Sequence, residues 1–381
     1  MDARDDQSYS SRSILNLDAL ITNCRDENTR FVLFAKKAGS LARFSCIDEA
    51  RSLIKELRAA NSAYDPQLSG WIILAEGLIE HFDSLNNVKS KDKFNRALLV
   101  GQMAGDRELA GTAAAWMAHC ELVSGQIDAA SNQIVTAFKW SDDNSYDARG
   151  RASMVLGDAL NWAGQTELAR KWYRDARNYA IREGDIAMQN VMLFNLATFG
   201  VANLTLLDCS GPTSAEAWKW VSLEVASAAN LNHALGIQSL ASLIPMMRAE
   251  LFVVKREWKE ASTLFETHMS GVVADGQKRL LPKIISQLAW CQANLGDMDR
   301  AFASLRQSVD ICADCTDLDD LAVLHFRLSG AGRLLLNPEI ENHHATLAVG
   351  YLNRFRNQQA EMFEKLLDTI EKVNFQIKNP T

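Results

Sequence analysis

A short alanine-marked segment recurs along this chain at intervals near 40 residues, and that spacing limits the fold more than any other feature. Ser45–Ala50, Gly125–Ala130, Gly164–Ala169, Arg256–Ala261 and Gly296–Ala301 each place an alanine five residues after a glycine or polar turn residue. The alanines fall 80, 39, 92 and 40 residues apart, so each longer gap holds two units. One hidden unit shows in Phe94 and Ala97, which match Tyr173 and Ala176 in spacing; Gly105-Asp106 and Gly184-Asp185 follow the two pairs alike. The other runs from about Asp185 to Leu231, with Gly211-Pro212 as its internal turn and Ala217 as its packing alanine. A fixed period of this length marks a stacked repeat.

The unit from Arg151 to Asp185 shows the physics most clearly. Leu156, Gly157 and Leu160 fall on one face of a first helix, helix A. Gly164 ends it, because a residue without Cβ accepts the left-handed conformation past a helix end. Gln165 or Thr166 starts helix B, on which Ala169, Tyr173 and Ala176 form one stripe. Small Gly157 and Ala169 let the backbones approach, and Tyr173 fills the space beside them. One such hairpin cannot bury both faces alone, so it stacks on its copies.

Leu156-Gly157, Leu160, Gly164, Ala169, Tyr173 and Ala176 resemble the tetratricopeptide (TPR) consensus. Ser153 stands where that consensus has an aromatic, and its terminal proline is missing. The longer unit is similar to the TPR-like arrays of bacterial LuxR-type regulators and peptide-sensing receptors. The resemblance covers about 28–336. It implies an all-α, right-handed superhelical solenoid of about seven helix pairs, with helix A on the concave wall. Residues 1–11 read as a loose tail, 12–336 as the solenoid with an N-terminal capping helix from Arg12 to Arg25, and 337–381 as a C-terminal capping segment. The stretch 195–212 departs most from the repeat and reads as a lengthened loop. With no linker-like composition, one continuous array is expected.

Composition agrees with a packed globular chain: 48% of the 381 residues are hydrophobic and 23% charged, too apolar for wholesale disorder. Twenty glycines and six prolines are too few for a β-fold with many tight turns. A net charge of −7 argues against a general nucleic-acid coat. The polar start with Asp2, Asp5 and Asp6 is unlike a signal peptide, and no membrane segment is expected. Seven scattered cysteines read as reduced thiols of a cytoplasmic protein.

Catalytic signatures are missing: there is no H-E-x-x-H, G-x-S-x-G, Walker loop or G-x-G-x-x-G. Cys312 and Cys315 form a C-x-x-C without a second ligand pair, so Cys312 is read as facing the core and Cys315 as lying in the turn. His343 and His344 point about 100° apart on a helix and read as surface residues. Lys89–Arg96 and Arg354–Arg356 are basic, but isolated clusters on an acidic chain make a poor phosphate track. Trp71, Trp116, Trp162, Trp258 and Trp290 read as core or inter-repeat wedges. Trp218 and Trp220 point to opposite sides of one helix, so one of them is expected to be exposed.

The inward helix-A positions then give a candidate partner-binding groove of His119, Arg151, Met154, Asp158, Asn161, Phe194, Met246 and Trp290. Thr112, Ala115, Glu250 and Lys283 share that face. A polar patch beside an apolar one suits a peptide, whose side chains fill pockets while polar groups fix its register. The expected function is a non-catalytic protein-interaction scaffold or sensor with a protein or peptide partner, and no cofactor, metal, nucleic acid or membrane. Two alternatives stand beside it. One is a regulatory subunit docking through its ends; the other is a small-ligand sensor or enzyme with its site at 195–220.

Overall fold

In a computed structural model, the described residues are 12–60, 65–84, 87–211, 213–235 and 242–378. The expected tail, 1–11, and Pro212 lie outside them. Among them are seventeen α-helices and no strand. A short helix α1 (Arg12–Asn23) precedes antiparallel pairs: α2 (Glu27–Arg43) with α3 (Ile47–Ala60), α4 (Pro66–Ser84) with α5 (Asn87–Ala104), α6 (Arg107–Val123) with α7 (Ile127–Lys139), and α8 (Tyr146–Trp162) with α9 (Thr166–Glu183). They continue as α10 (Ile186–Ser210) with α11 (Ala215–Ala234), α12 (Leu243–Val254) with α13 (Trp258–Ala274), α14 (Leu281–Asn294) with α15 (Met298–Asp310), and α16 (Leu318–Leu334) with α17 (Pro338–Lys378). The chain is an all-α helical repeat of the TPR-like kind.

The repeat alanines do what their spacing demands. Ala50, Ala169, Ala261 and Ala301 are 0% exposed and Ala130 1%, each at the seam where helix B meets its helix A. At Gly157 a Cβ would lie 3.3 Å from the Tyr173 ring, so the glycine is what lets the two helices close.

The turns show why glycine recurs. Gly105, Gly125, Gly164, Gly184, Gly276 and Gly296 all have φ between 69° and 82°. At each helix end the next residue donates its N–H back to a carbonyl five residues earlier, as Gln165 does to Leu160 at 2.8 Å. Three turns take the same left-handed geometry without glycine: Ser45 (φ 62°), Arg256 (φ 65°) and Leu336 (φ 55°). Ser45 and Arg256 stand where the sequence alignment has Gly125, Gly164 and Gly296.

Two compact units result. One takes the chain to Met192 together with the stretch from Ala360 onward; the other is Leu193–Gln359. The first unit is built on α1–α9, and it also holds the end of α17, where Leu366, Thr369 and Val373 are buried and Lys365 pairs with Asp128 at 2.7 Å. In the second unit Ala197, Val201 and Leu204 pack with Val225, Ala228, Ile244, Met247 and Leu251. A further layer there joins Val253, Ala261 and Phe265 to Ile284 and Leu288.

Several sequence expectations need correction. The stretch 195–210 is helix, not loop: α10 runs unbroken to Ser210. It offers no turn signal before Gly211, and Gly200 serves packing, since a Cβ there would meet Val221 at 3.3 Å. By length and apolar composition, α10 is also the one helix among the described residues that would suffice to cross a membrane. His344 is buried rather than on the surface, with its Nδ1 3.0 Å from Nδ1 of His325. Cys315 is the buried cysteine of its pair, and Cys312 is only half-buried. Trp162, expected as a wedge, is 37% exposed. The tryptophan pair is as expected, with one member exposed: Trp220, while Trp218 packs against the α10–α12 core.

Candidate functional site

In the first unit, helices α2, α4 and α6 set their A-helix faces around a cleft that α1 overlies. Its apolar lining is Leu17, Ala35, Trp71, Leu74, Ala75 and Leu78. Its charged lining is Lys36, Arg43, Glu108, Asp147, Glu183 and Asp185. Small residues on the A helices make the space: Gly39 sits so close to Leu78 that a Cβ would come within 2.9 Å. The edges are pinned. Trp71 donates its indole N–H to Asp106 at 2.9 Å, and Lys36 lies 4.4 Å from the Trp71 ring centroid and 2.7 Å from Glu108.

Electrostatics divide the cleft into a neutralised cation and crowded carboxylates. Arg43 is paired with Asp185 and reaches Asp147 at 3.4 Å. Burial opposes its charge, but those two carboxylates hold it firmly protonated. Burial raises Asp185, but Arg43, the Met188 N–H and Arg151 together outweigh it and hold the carboxyl below its ordinary value. Glu183 has no such partner, and burial, with Asp147, Asp185 and Glu108 around it, pushes its carboxyl up to about 7.

Beside the cleft lies a group of buried nitrogens without hydrogen-bond partners. Trp116, one turn past the cleft residue Thr112 on α6, carries the Arg151 guanidinium over its ring at 4.0 Å. His81 and His119 stand edge-on to Trp116, at centroid distances of 5.5 and 6.0 Å, and 5.3 Å from each other. Arg151 Nε, Trp116 Nε1, His81 Nδ1 and His119 Nδ1 are all buried without a hydrogen-bond partner. Arg151 is 4% exposed and makes no ion pair among the described residues. Burial, and then the neighbouring Arg43, lower its value to about 10. Burial also holds both histidines neutral, His81 at about 4 and His119 at about 3.

Magnitudes decide what Arg151 is doing. Stacking a desolvated guanidinium on tryptophan returns about 2 kcal/mol. Burying a charge without its counter-ion costs several kcal/mol. Each unsatisfied buried donor adds about 1–3 kcal/mol. Asp147, Asp185 and Asp158 lie near enough to favour the charge and offset part of that cost, and the Nε is left without a hydrogen-bond partner.

The remaining candidate residues divide between the two units. His119, Arg151, Asp158 and Asn161 fall in the first unit, on α6 and α8. Asp158 accepts from the Tyr173 hydroxyl, and Asn161 Nδ2 is buried without a partner. Met154 is 0% exposed and belongs to the core, not to a ligand-facing wall. In the second unit Met246 is buried in the α12–α14 core, Phe194 packs on the α10–α12 core, and Trp290 is wedged 6.0 Å from Trp258. These three are packing residues because neighbouring A helices close on them; a Cβ at Gly330 would meet the Trp290 ring at 2.7 Å.

Sequence reasoning missed Arg43, Trp71, His81 and Glu183 as site residues. Arg43 and Glu183 stand at the C-terminal ends of their helices, where charged residues ordinarily coat the surface. Sequence reasoning put Glu250 and Lys283 on the inner face but did not pair them into the buried ionic seam of the second unit. There Lys283 meets Glu250 at 3.1 Å and Asp320 at 2.9 Å. Asp208, with a fully buried side chain, is held by Arg256 and by Arg327, each at 2.8 Å.

No family model matches the chain, and no curated protein matches it. Among solved structures it is similar to the crystal structure of a Rap protein complexed with competence and sporulation factor. The two share a TM-score of 0.54 and 13% identity over 91% of this chain and 99% of that one. At that identity the likeness is one of fold: a TPR-like helical repeat matched over nearly its whole length.

Proposed function

We propose that this chain is a non-catalytic, peptide-binding regulatory scaffold of the cytoplasm, and that the first unit's A-helix cleft holds the ligand. The carrying observation is the cleft itself. It joins an apolar floor to charged walls and lies beside the unpartnered buried nitrogens, on the helix face that a TPR-like repeat uses for recognition. The Rap protein of similar fold was solved with a factor bound, which favours the peptide-sensing side of the sequence resemblance over the LuxR-type side. In this reading α1 covers the bound segment. Its two buried residues, Ile14 and Ile21, and the Lys37–Asp18 pair at 2.6 Å hold it in place.

Fluorescence anisotropy against an array of labelled short peptides tests this. Ser40 lines the cleft and is only half-buried, so Ser40→Trp obstructs it without entering the core. The expected result is a selected peptide whose affinity falls at least roughly tenfold in Ser40→Trp, a loss of about 1.4 kcal/mol, with an unchanged melting curve. Undiminished affinity in that variant would remove the cleft from the account.

A further inference from the structure

We infer that Arg151, seated on Trp116, is an anchor for a carboxylate of the ligand. Resting on the peptide-binding reading, this names the chemical group that the site selects. Arg151 is buried, carries five N–H donors, and makes no hydrogen bond or ion pair to any described residue. Its arginine neighbours on the A helices have partners: buried Arg149 pairs with Asp143 and Ser141, and half-buried Arg43 with Asp185 and Asp147. A guanidinium presents a planar fork that matches a carboxylate in two parallel hydrogen bonds. Trp116 holds the guanidinium over its ring at 4.0 Å, and the Arg151 Nε is left without a partner.

The surroundings choose a carboxylate over a phosphate. The other groups at the cluster carry no charge: the Trp116 Nε1 donor, and the His81 and His119 rings, each with one N–H and one acceptor nitrogen. Arg43 is paired with Asp147 and Asp185, whose charge also reaches Arg151. A monoanion is the least charge that can meet the guanidinium beside carboxylates already present. A phosphate dianion would face Asp147, Asp158, Glu183 and Asp185 with its second charge unmatched.

The test uses the full chain with sodium acetate, inorganic phosphate and sodium chloride at equal ionic strength. Melting temperature and the Trp116 indole N–H resonance are read together. Acetate is expected to raise the melting temperature saturably and to move that resonance, with chloride doing neither and phosphate less than acetate. Arg151→Met is expected to melt at or above the wild-type temperature and to lose the acetate effect; a purely structural arginine would lose stability instead. If Arg151→Met does not fold, the proposal is overturned, because the side chain is then structural. It is overturned equally if acetate moves nothing in the wild type, if it acts alike on both proteins, or if phosphate binds more tightly. A last arm separates this inference from the one beneath it. The array-selected peptide is compared in carboxylate and carboxamide forms, with at least a roughly tenfold preference for the carboxylate expected. Equal binding of the two forms sinks the anchor and leaves peptide binding standing. An acetate effect where no peptide binds keeps the anchor and sinks the peptide.

Discussion

Removing the carboxylate of Asp208 should be the most damaging single change in the second unit. Its side chain is 0% exposed and bonds Arg327, itself 5% exposed, at 2.8 Å, while Arg256 is 44% exposed. Two opposite charges about 4 Å apart attract by about 4 kcal/mol at an effective dielectric near 20. Much of that attraction offsets desolvation, so the pair itself adds little. Breaking it from one side is different: Asp208→Ala leaves Arg327 buried with no counter-ion, and its Nε already lacks a partner. The expected loss is about 3–5 kcal/mol. Arg256→Ala removes a half-solvated partner and should cost about 1 kcal/mol or less. Replacing both members of the buried pair, Asp208→Ala with Arg327→Met, removes the stranded charge and should recover most of the loss. Urea unfolding of the wild type and these three variants, followed by circular dichroism, makes the comparison. A loss below about 1 kcal/mol in Asp208→Ala, or a double variant no better than that single one, would refute the reasoning.

Two other perturbations follow from the turns and the histidines. Leu336 holds φ 55° with its side chain 89% exposed, so Leu336→Gly relieves backbone strain at no packing cost and should stabilise by about 1 kcal/mol. An unchanged or lower denaturation midpoint would count against that. His325 and His344 are both held at about 4, chiefly by burial and then by neighbouring histidines, His343 among them. Their neutral forms are favoured in the fold, so the stability they confer is complete above about pH 6.5 and declines as pH falls toward 4. The decline is about 1.4 kcal/mol per pH unit for each. Melting curves from pH 7.5 to 4.5 should therefore be flatter for His344→Gln than for the wild type, and equal slopes would refute the assignment.

The repeat was legible because its physics is local. An alanine where two helices touch and a residue with positive φ where one ends are properties of single positions, so Ala50, Ala169 and Gly164 announced themselves. Ser45 and Arg256 could be placed in the glycine column because the alanine register around them was intact. The unbroken α10 was misread because a missing repeat mark looks like a loop when the sequence supplies a longer helix instead. The site was half legible. Helical periodicity put Arg151 and His119 on the inner face, but it also put Met154 and Met246 there, since facing inward on an A helix serves both groove and core. Which of the two a residue joins depends on how closely the next repeat approaches. The encounter of Arg43 with Asp147 and Asp185 spans more than 100 residues of chain, and no local pattern encodes it.

The most direct measurement is a titration of the nitrogen-15 indole resonances of the nine tryptophans with the array-selected peptide, assigned by single Trp→Phe substitutions. Binding in the first unit's cleft predicts saturable shifts of the Trp71 and Trp116 signals, with Trp116 falling silent in Arg151→Met. Shifts confined to Trp218, Trp220, Trp258 and Trp290, with Trp71 and Trp116 unmoved, would contradict the account.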